Sequence, residues 1–167
     1  TIADEVAMYV LNQVHPDFVQ YSYLDRGSDE RQYCSPGIDL PIASVMRTKY
    51  GAYKEYHTSL DDLDYVSAEG LFGAYDILSR CIEHIEDYRI YKTTILCEPQ
   101  MGRRNLRSTL GAQTDMPANT MLMSHILVYS DGKCDVLSMA NKFGVSLTDL
   151  LEIVDILVKE GLLEEVV

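Results

Sequence analysis

Leu71, Tyr75, Leu78, Ile82 and Ile85 recur at alternating steps of four and three, behind a serine at Ser67 and a glutamate at Glu69. This spacing predicts a helix over residues 67–87 with one apolar face, capped by Ser67 and with Glu69 suited to the positive end of the dipole. Such a face must be buried against another layer. Two short runs supply candidates for that layer. Residues 18–23 (FVQYSY) alternate well enough for a strand with an aromatic face, and residues 42–47 (IASVMR) suit a strand covered on both sides. The expected class is therefore α/β, with helix 67–87 lying across a sheet that holds both runs. Ahead of them, Thr1 can cap a helix carrying Asp4 and Glu5 in its first turn and Ile2, Val6, Tyr9, Val10 and Gln13-Val14 on one face, ended by His15-Pro16.

The polar chemistry lies in the loops around the second run. Ser28, Asp29, Glu30, Arg31, Gln32, Tyr33 and Cys34 sit between Gly27 and the turn pair Pro36-Gly37; after the run comes Tyr56-His57-Thr58-Ser59-Leu60-Asp61-Asp62. Loop, buried strand, loop is a common way to present an active site. The first loop reads either as a surface turn whose charges pair with one another, or as a set able to orient a substrate or a water, with Asp29, Glu30, Arg31 and Tyr33 as the candidates. His57 is the candidate for metal binding, since it follows the run and has Thr58, Asp61 and Asp62 beside it to fix its second nitrogen; the alternative is a structural histidine. Cys34 with His57 as thiol and base is a further arrangement, which no feature of the sequence favours. His15, His84 and His125 fall on helix ends or faces.

A formal charge of −12 excludes general affinity for nucleic acid or anionic membranes, which needs clustered cations. No apolar run reaches the ~18 residues that would span a bilayer. The four cysteines are widely and irregularly spaced, which fits a reducing cytoplasm better than a disulfide framework or zinc finger. Thr1 in place of a methionine points to a processed product or a fragment.

Residues 92–97 (KTTILC) are rich in β-branched residues and allow a short strand. The division expected is 1–97, a linker at 98–117, and a second domain at 118–167. The linker carries Arg103, Arg104 and Arg107, suited to docking on the acidic protein or meeting an anionic group. In the second domain, residues 136–143, a Gly144-Val145-Ser146 turn and residues 147–160 have the helix-turn-helix arrangement, and Gly161-Leu162-Leu163 opens a minimal wing. A small winged helix is expected. Three lysines face eight carboxylates in 118–167, a net of −5, and the would-be recognition helix carries Asp149, Glu152, Asp155 and Glu160. Phosphates repel such an element, so a homo-oligomer or protein contact is expected of it, with no nucleic acid and no membrane.

With these residues in view, the chain resembles a bacterial family of aminopeptidase-like proteins related to the zinc exopeptidases. The resemblance is carried by GSDERQYCSPG (27–37), LPIASVMRTKYGAYKEYHTSLDDLDYVS (40–67), CEPQMGRRNL (97–106) and the winged helix that opens with YSDGK (129–133). It implies the C-terminal part of a zinc-exopeptidase-like sheet-and-helix domain. In that superfamily a histidine in a YHT context is a zinc ligand, here His57, and the loop at Ser28-Asp29-Glu30 matches an active-site Ser-Asp-His loop, with Glu30 in place of the histidine. The remaining ligands and the glutamate base come from earlier motifs that this chain lacks. The function implied is a part of a zinc-dependent hydrolase acting on a peptide or small amide near a free amino end. The alternative is a non-catalytic scaffold that docks partners through its acidic winged helix.

Overall fold

The computed structural model describes residues 1–104, 106 and 118–166. The chain divides into two units, Thr1–Asp87 and Tyr88–Val167. In the first, helix α1 (Ile2–Val14) starts in a capping box between Thr1 and Asp4, and Asp4 and Glu5 occupy its first turn. Its inward residues Val6, Ala7, Tyr9 and Val10 pack against helix α3 (Ala68–Glu86), which buries Ile77 and Cys81 and is capped by Ser67 accepting from the Gly70 N–H. Tyr9 meets His84 edge-on, with ring centroids 5.0 Å apart. Between the two helices lie a 3-10 turn at Tyr23–Asp25, the one-turn helix α2 (Glu30–Tyr33), and long segments without regular structure.

The sheet expected in this unit is not formed. Residues 18–22 and 42–46 have neither helical nor ladder structure, and no strand occurs among residues 1–87. The physical reason is that an alternating run becomes a strand only when a neighbouring edge takes its backbone hydrogen bonds. These segments are held by side chains instead: the Cys34 thiol reaches the carbonyls of Leu40 and Ile42 at 3.4 and 3.5 Å, and an Arg47 nitrogen lies 3.4 Å from the Glu69 carbonyl at the start of α3. The apolar stripe of α3 also departs from expectation. Leu71, Tyr75, Leu78, Ile82 and Ile85 are 65, 68, 51, 60 and 41% exposed, while the adjoining flank with Ile77 and Cys81 meets α1.

The second unit contains a three-stranded antiparallel sheet in the order β2-β1-β3, with β1 (Ile90–Thr93), β2 (Asp131–Asp135) and β3 (Leu163–Glu165). Because β1 pairs with both other strands, it belongs here, and the division falls ahead of the expected residue 97. Helices α4 (Ala118–Tyr129), α5 (Val136–Phe143) and α6 (Leu147–Lys159) pack together over a core that includes Ile126, Leu137, Met139, Leu150 and Leu157, all almost fully buried. Asp135 caps α5 by accepting from the Ser138 N–H at 2.8 Å, and Gly144 ends it with φ +68°, a left-handed conformation that glycine adopts without a Cβ penalty. Ser146 then caps α6 through the Asp149 N–H at 3.0 Å. These stops and starts produce the expected helix-turn-helix, and β3 supplies the wing by joining β1. The architecture is thus mixed helix with a small antiparallel sheet.

Of the expected linker, Arg104 places a guanidinium nitrogen 3.3 Å from the Glu160 carbonyl, at the negative end of α6. Arg107 and residues 108–117 lie outside the described residues. No helix among the described residues is long and apolar enough to cross a membrane.

Candidate functional site

Glu30 is the hub of the first polar loop. Its Oε1 accepts the N–H groups of Gly27 at 2.7 Å and Ser28 at 3.0 Å, and the Tyr50 hydroxyl lies 3.2 Å away. The same hydroxyl is 3.2 Å from the Asp25 carbonyl, so its one proton serves one acceptor at a time. The Ser28 N–H, then the Gly27 N–H, lower the Glu30 carboxyl to about 2, against the effect of burial. At neutral pH this carboxylate is a fixed anion and an anchor; it is too acidic to give or take a proton in a general acid-base step. Its second oxygen, Oε2, is buried with no hydrogen-bond partner among the described residues.

Gly27 is required by this packing. A Cβ there would stand 2.5 Å from Cε2 of Tyr50. Tyr50 in turn starts an aromatic cluster: its ring centroid is 6.2 Å from that of Tyr56, Tyr56 lies 5.7 Å from Tyr53, and Tyr53 stacks on Tyr65 at 5.4 Å. Burial raises the Tyr50 hydroxyl's pKa, with the Glu30 charge adding to it. Lys49 sits over the Tyr21 ring at 4.4 Å and 4.0 Å from the Asp25 carboxylate, fastening the neighbouring segment to the same group.

His57 lies at the other end of this cluster. Its ring stacks on Tyr56 at 3.9 Å with 17° between the planes, and its backbone is left-handed at φ +58°, unusual for a residue with a Cβ. The imidazole is exposed. Of the groups expected to fix its second nitrogen, two bond within the loop: Thr58 donates to the Glu55 carbonyl at 2.9 Å and accepts from Leu60, and Asp62 accepts the Asp64 N–H at 2.9 Å.

The structure therefore joins two of the expected site residues, Glu30 and His57, through Tyr50 and Tyr56. It does not bring Asp29, Arg31 or Tyr33 into that cluster. Asp29 precedes α2 without a side-chain capping bond, Arg31 donates to the Ser28 carbonyl at 3.3 Å, and Tyr33 is exposed. Sequence reasoning missed the two tyrosines that make the connection. Their signal was the repeat Tyr50, Tyr53, Tyr56, which places aromatic rings at every third residue between the two polar loops.

Among the described residues no three His, Cys, Asp or Glu side chains converge as a metal ion would need. His57 offers one imidazole, and the described residues do not complete a zinc centre between them.

A family model described as a domain of unknown function (DUF4910) matches residues 1–88, and one described as a winged helix-turn-helix matches residues 89–165. A Clostridium acetobutylicum protein named provisionally as a polysaccharide biosynthesis protein with aminopeptidase-like domain is 36% identical over 162 residues, which make up 96% of this chain and 37% of that protein. A crystal structure from Clostridium acetobutylicum, named provisionally as a peptidase, aligns with a TM-score of 0.70 at 34% identity, over 98% of this chain and 36% of the other. This chain thus spans little more than a third of the length of the relative it matches.

Proposed function

We propose, since this chain belongs to the family described as a domain of unknown function (DUF4910), that it forms part of an aminopeptidase-like hydrolase cleaving a peptide or amide bond near a free amino end. The observation that carries this reading is the placement of His57: an exposed residue stacked on Tyr56, tied through Tyr50 to a Glu30 that is ionised at neutral pH. The names of both relatives agree with a peptidase-like domain.

In this reading His57 contributes one ligand to a zinc site, and the other donors come from polypeptide outside these residues. When bound, the metal would lower the pKa of a water to supply a nucleophile. What this chain's residues do is hold the imidazole. Glu30 gathers the Gly27 and Ser28 amides and, through the Tyr50 hydroxyl, holds one end of the tyrosine cluster; Tyr56 supports the His57 ring face to face. Asp29, Arg31 and Tyr33, exposed on the same loop, are assigned to contact with the substrate. The winged helix serves as a protein-contact module.

The test is hydrolysis by the polypeptide extended with its adjoining coding sequence. Aminoacyl amides with a free amino group should be cleaved at least about 100-fold faster than their N-acetyl counterparts. N-acylated amino sugars belong in the panel because the relative's name includes polysaccharide biosynthesis. Equal rates on free and blocked amines, or no hydrolysis of any amide, would remove the aminopeptidase reading.

A further inference from the structure

Helix α3 carries an apolar arc wider than its one partner covers. At about 100° per residue, Ile77 and Cys81 lie on one flank of that arc, buried where α1 packs, and the arc continues through Ile85, Leu78, Leu71, Ile82 and Tyr75, which are open to solvent. An apolar surface this wide belongs in an interior, since a solvated helix carries a single narrower stripe. Glu69, Asp76, Arg80 and Glu83 share the remaining, charged face. It is a packing face in search of its layer.

We infer that this face is covered by an apolar layer of the same polypeptide, contributed by sequence outside these 167 residues, and that the first unit reaches its working geometry only with that layer in place. This rests on the reading of the chain as part of a longer hydrolase. Two observations select this occupant over a second copy of the chain. The first is that the solved neighbour keeps this fold over 98% of the present chain while that match is only 36% of its own length, so the same unit occurs inside a much longer polypeptide. The second is size. From Leu71 to Ile85 the stripe is about 21 Å long at the helical rise, and at a helix width of about 10 Å it offers about 200 Å², well short of the roughly 800 Å² per partner that a stable dimer buries. A layer tethered in the same chain has no such threshold, because its effective concentration is set by the connection.

The same layer accounts for the first unit's unpaired segments. Residues 18–22 and 42–46 alternate or run apolar as strands do, yet no ladder forms among residues 1–87. Ile42 and Met46 are exposed along with the α3 stripe. An added sheet edge would satisfy the backbone of these runs as its apolar face covers the helix.

Hydrogen exchange on the 167-residue chain and on the polypeptide extended with its adjoining coding sequence tests the inference. The α3 amides should exchange at least about 100-fold more slowly in the extended form, and Leu78→Asp should remove that added protection while leaving α3 exchange in the short chain unchanged. Equal protection in the two forms, or an adjoining sequence that encodes no further polypeptide, would overturn it. A stable dimer of the short chain that Leu78→Asp dissociates would do so as well, making a second copy the occupant. Amide hydrolysis measured on the same extended sample separates the two proposals: activity without added α3 protection removes this inference alone, and protection without activity removes the hydrolase reading alone.

Discussion

The Tyr50 hydroxyl lies 3.2 Å from Glu30 Oε1, twenty residues along the chain, and this one contact joins the first polar loop to the tyrosine cluster that carries His57. A carboxylate that also holds the Gly27 and Ser28 amides sets the shape of its loop by its charge. Its folded value of about 2 lies below its ordinary value of 4.5, so its contribution to stability is complete above 4.5 and is lost as the pH falls toward 2. The amide resonances of Gly27 and Ser28, followed by NMR during an acid titration of the folded chain, should move with a midpoint near the folded value of about 2 and stay flat at the ordinary value of 4.5. Glu30→Gln should abolish the movement. Tyr50→Phe should leave most of the depression intact, because the Ser28 amide is its largest cause.

His84 gives a second, separate acid response. Burial lowers its pKa, its Nδ1 is enclosed without a hydrogen-bond partner among the described residues, and its ring packs against Tyr9. The unfolded chain therefore takes up the proton first, and stability falls as the pH drops below the ordinary value of 6.5. Thermal melts of the 167-residue chain, followed by near-ultraviolet dichroism of its tyrosines, should show a midpoint that declines between pH 7 and 5. His84→Phe, which keeps a ring against Tyr9, should flatten that decline. A variant that declines as steeply as the parent would show that another group titrates.

How far these features were legible depends on whether their cause is local. Helices α1, α3, α5 and α6 follow from caps and periodicity that the sequence states outright: Thr1 with Asp4, Ser67 with the Gly70 amide, Asp135 with Ser138, and Ser146 with the Asp149 amide. Residues 18–23 and 42–47 have strand composition, but a strand is a property of two segments, and no second segment is paired with either. Strand β2 lacks a strand composition because it opens with the turn-forming pair Asp131-Gly132; Asp131 accepts the amides of Lys133 and Cys134 while the run pairs with β1. In the site, Glu30 and His57 were visible as residue types in loops. The link between them was not, since it runs through aromatic rings whose spacing resembles an ordinary polar connection.

The two units should respond oppositely to the loss of a leucine. Leu157 is fully buried in the second unit, and Leu157→Ala should cost about 2–5 kcal/mol in denaturant melts. Leu71, 65% exposed on α3, should tolerate Leu71→Ala in the 167-residue chain within about 0.5 kcal/mol. A large cost at Leu71 in this chain would mean that its side chain is already covered.

The winged helix should not bind duplex DNA. Helix α6 exposes Asp149, Glu152 and Asp155 where a recognition helix would present cations. A fluorescent duplex should show no change in anisotropy with micromolar protein at low salt. Lysine at those three positions should introduce weak, salt-sensitive binding, whereas a salt-sensitive shift with the unaltered chain would refute the protein-contact assignment.

Zinc titration by calorimetry tests most directly the central claim, that His57 is one donor of a site completed by polypeptide beyond these residues. The 167-residue chain should give no stoichiometric binding at micromolar zinc, because no three donor side chains converge among its described residues. The extended polypeptide should take up zinc tightly, and His57→Ala should weaken that binding by at least about 100-fold. One equivalent bound tightly by the 167-residue chain, and lost on His57→Ala, would contradict the claim by showing that these residues hold the complete site.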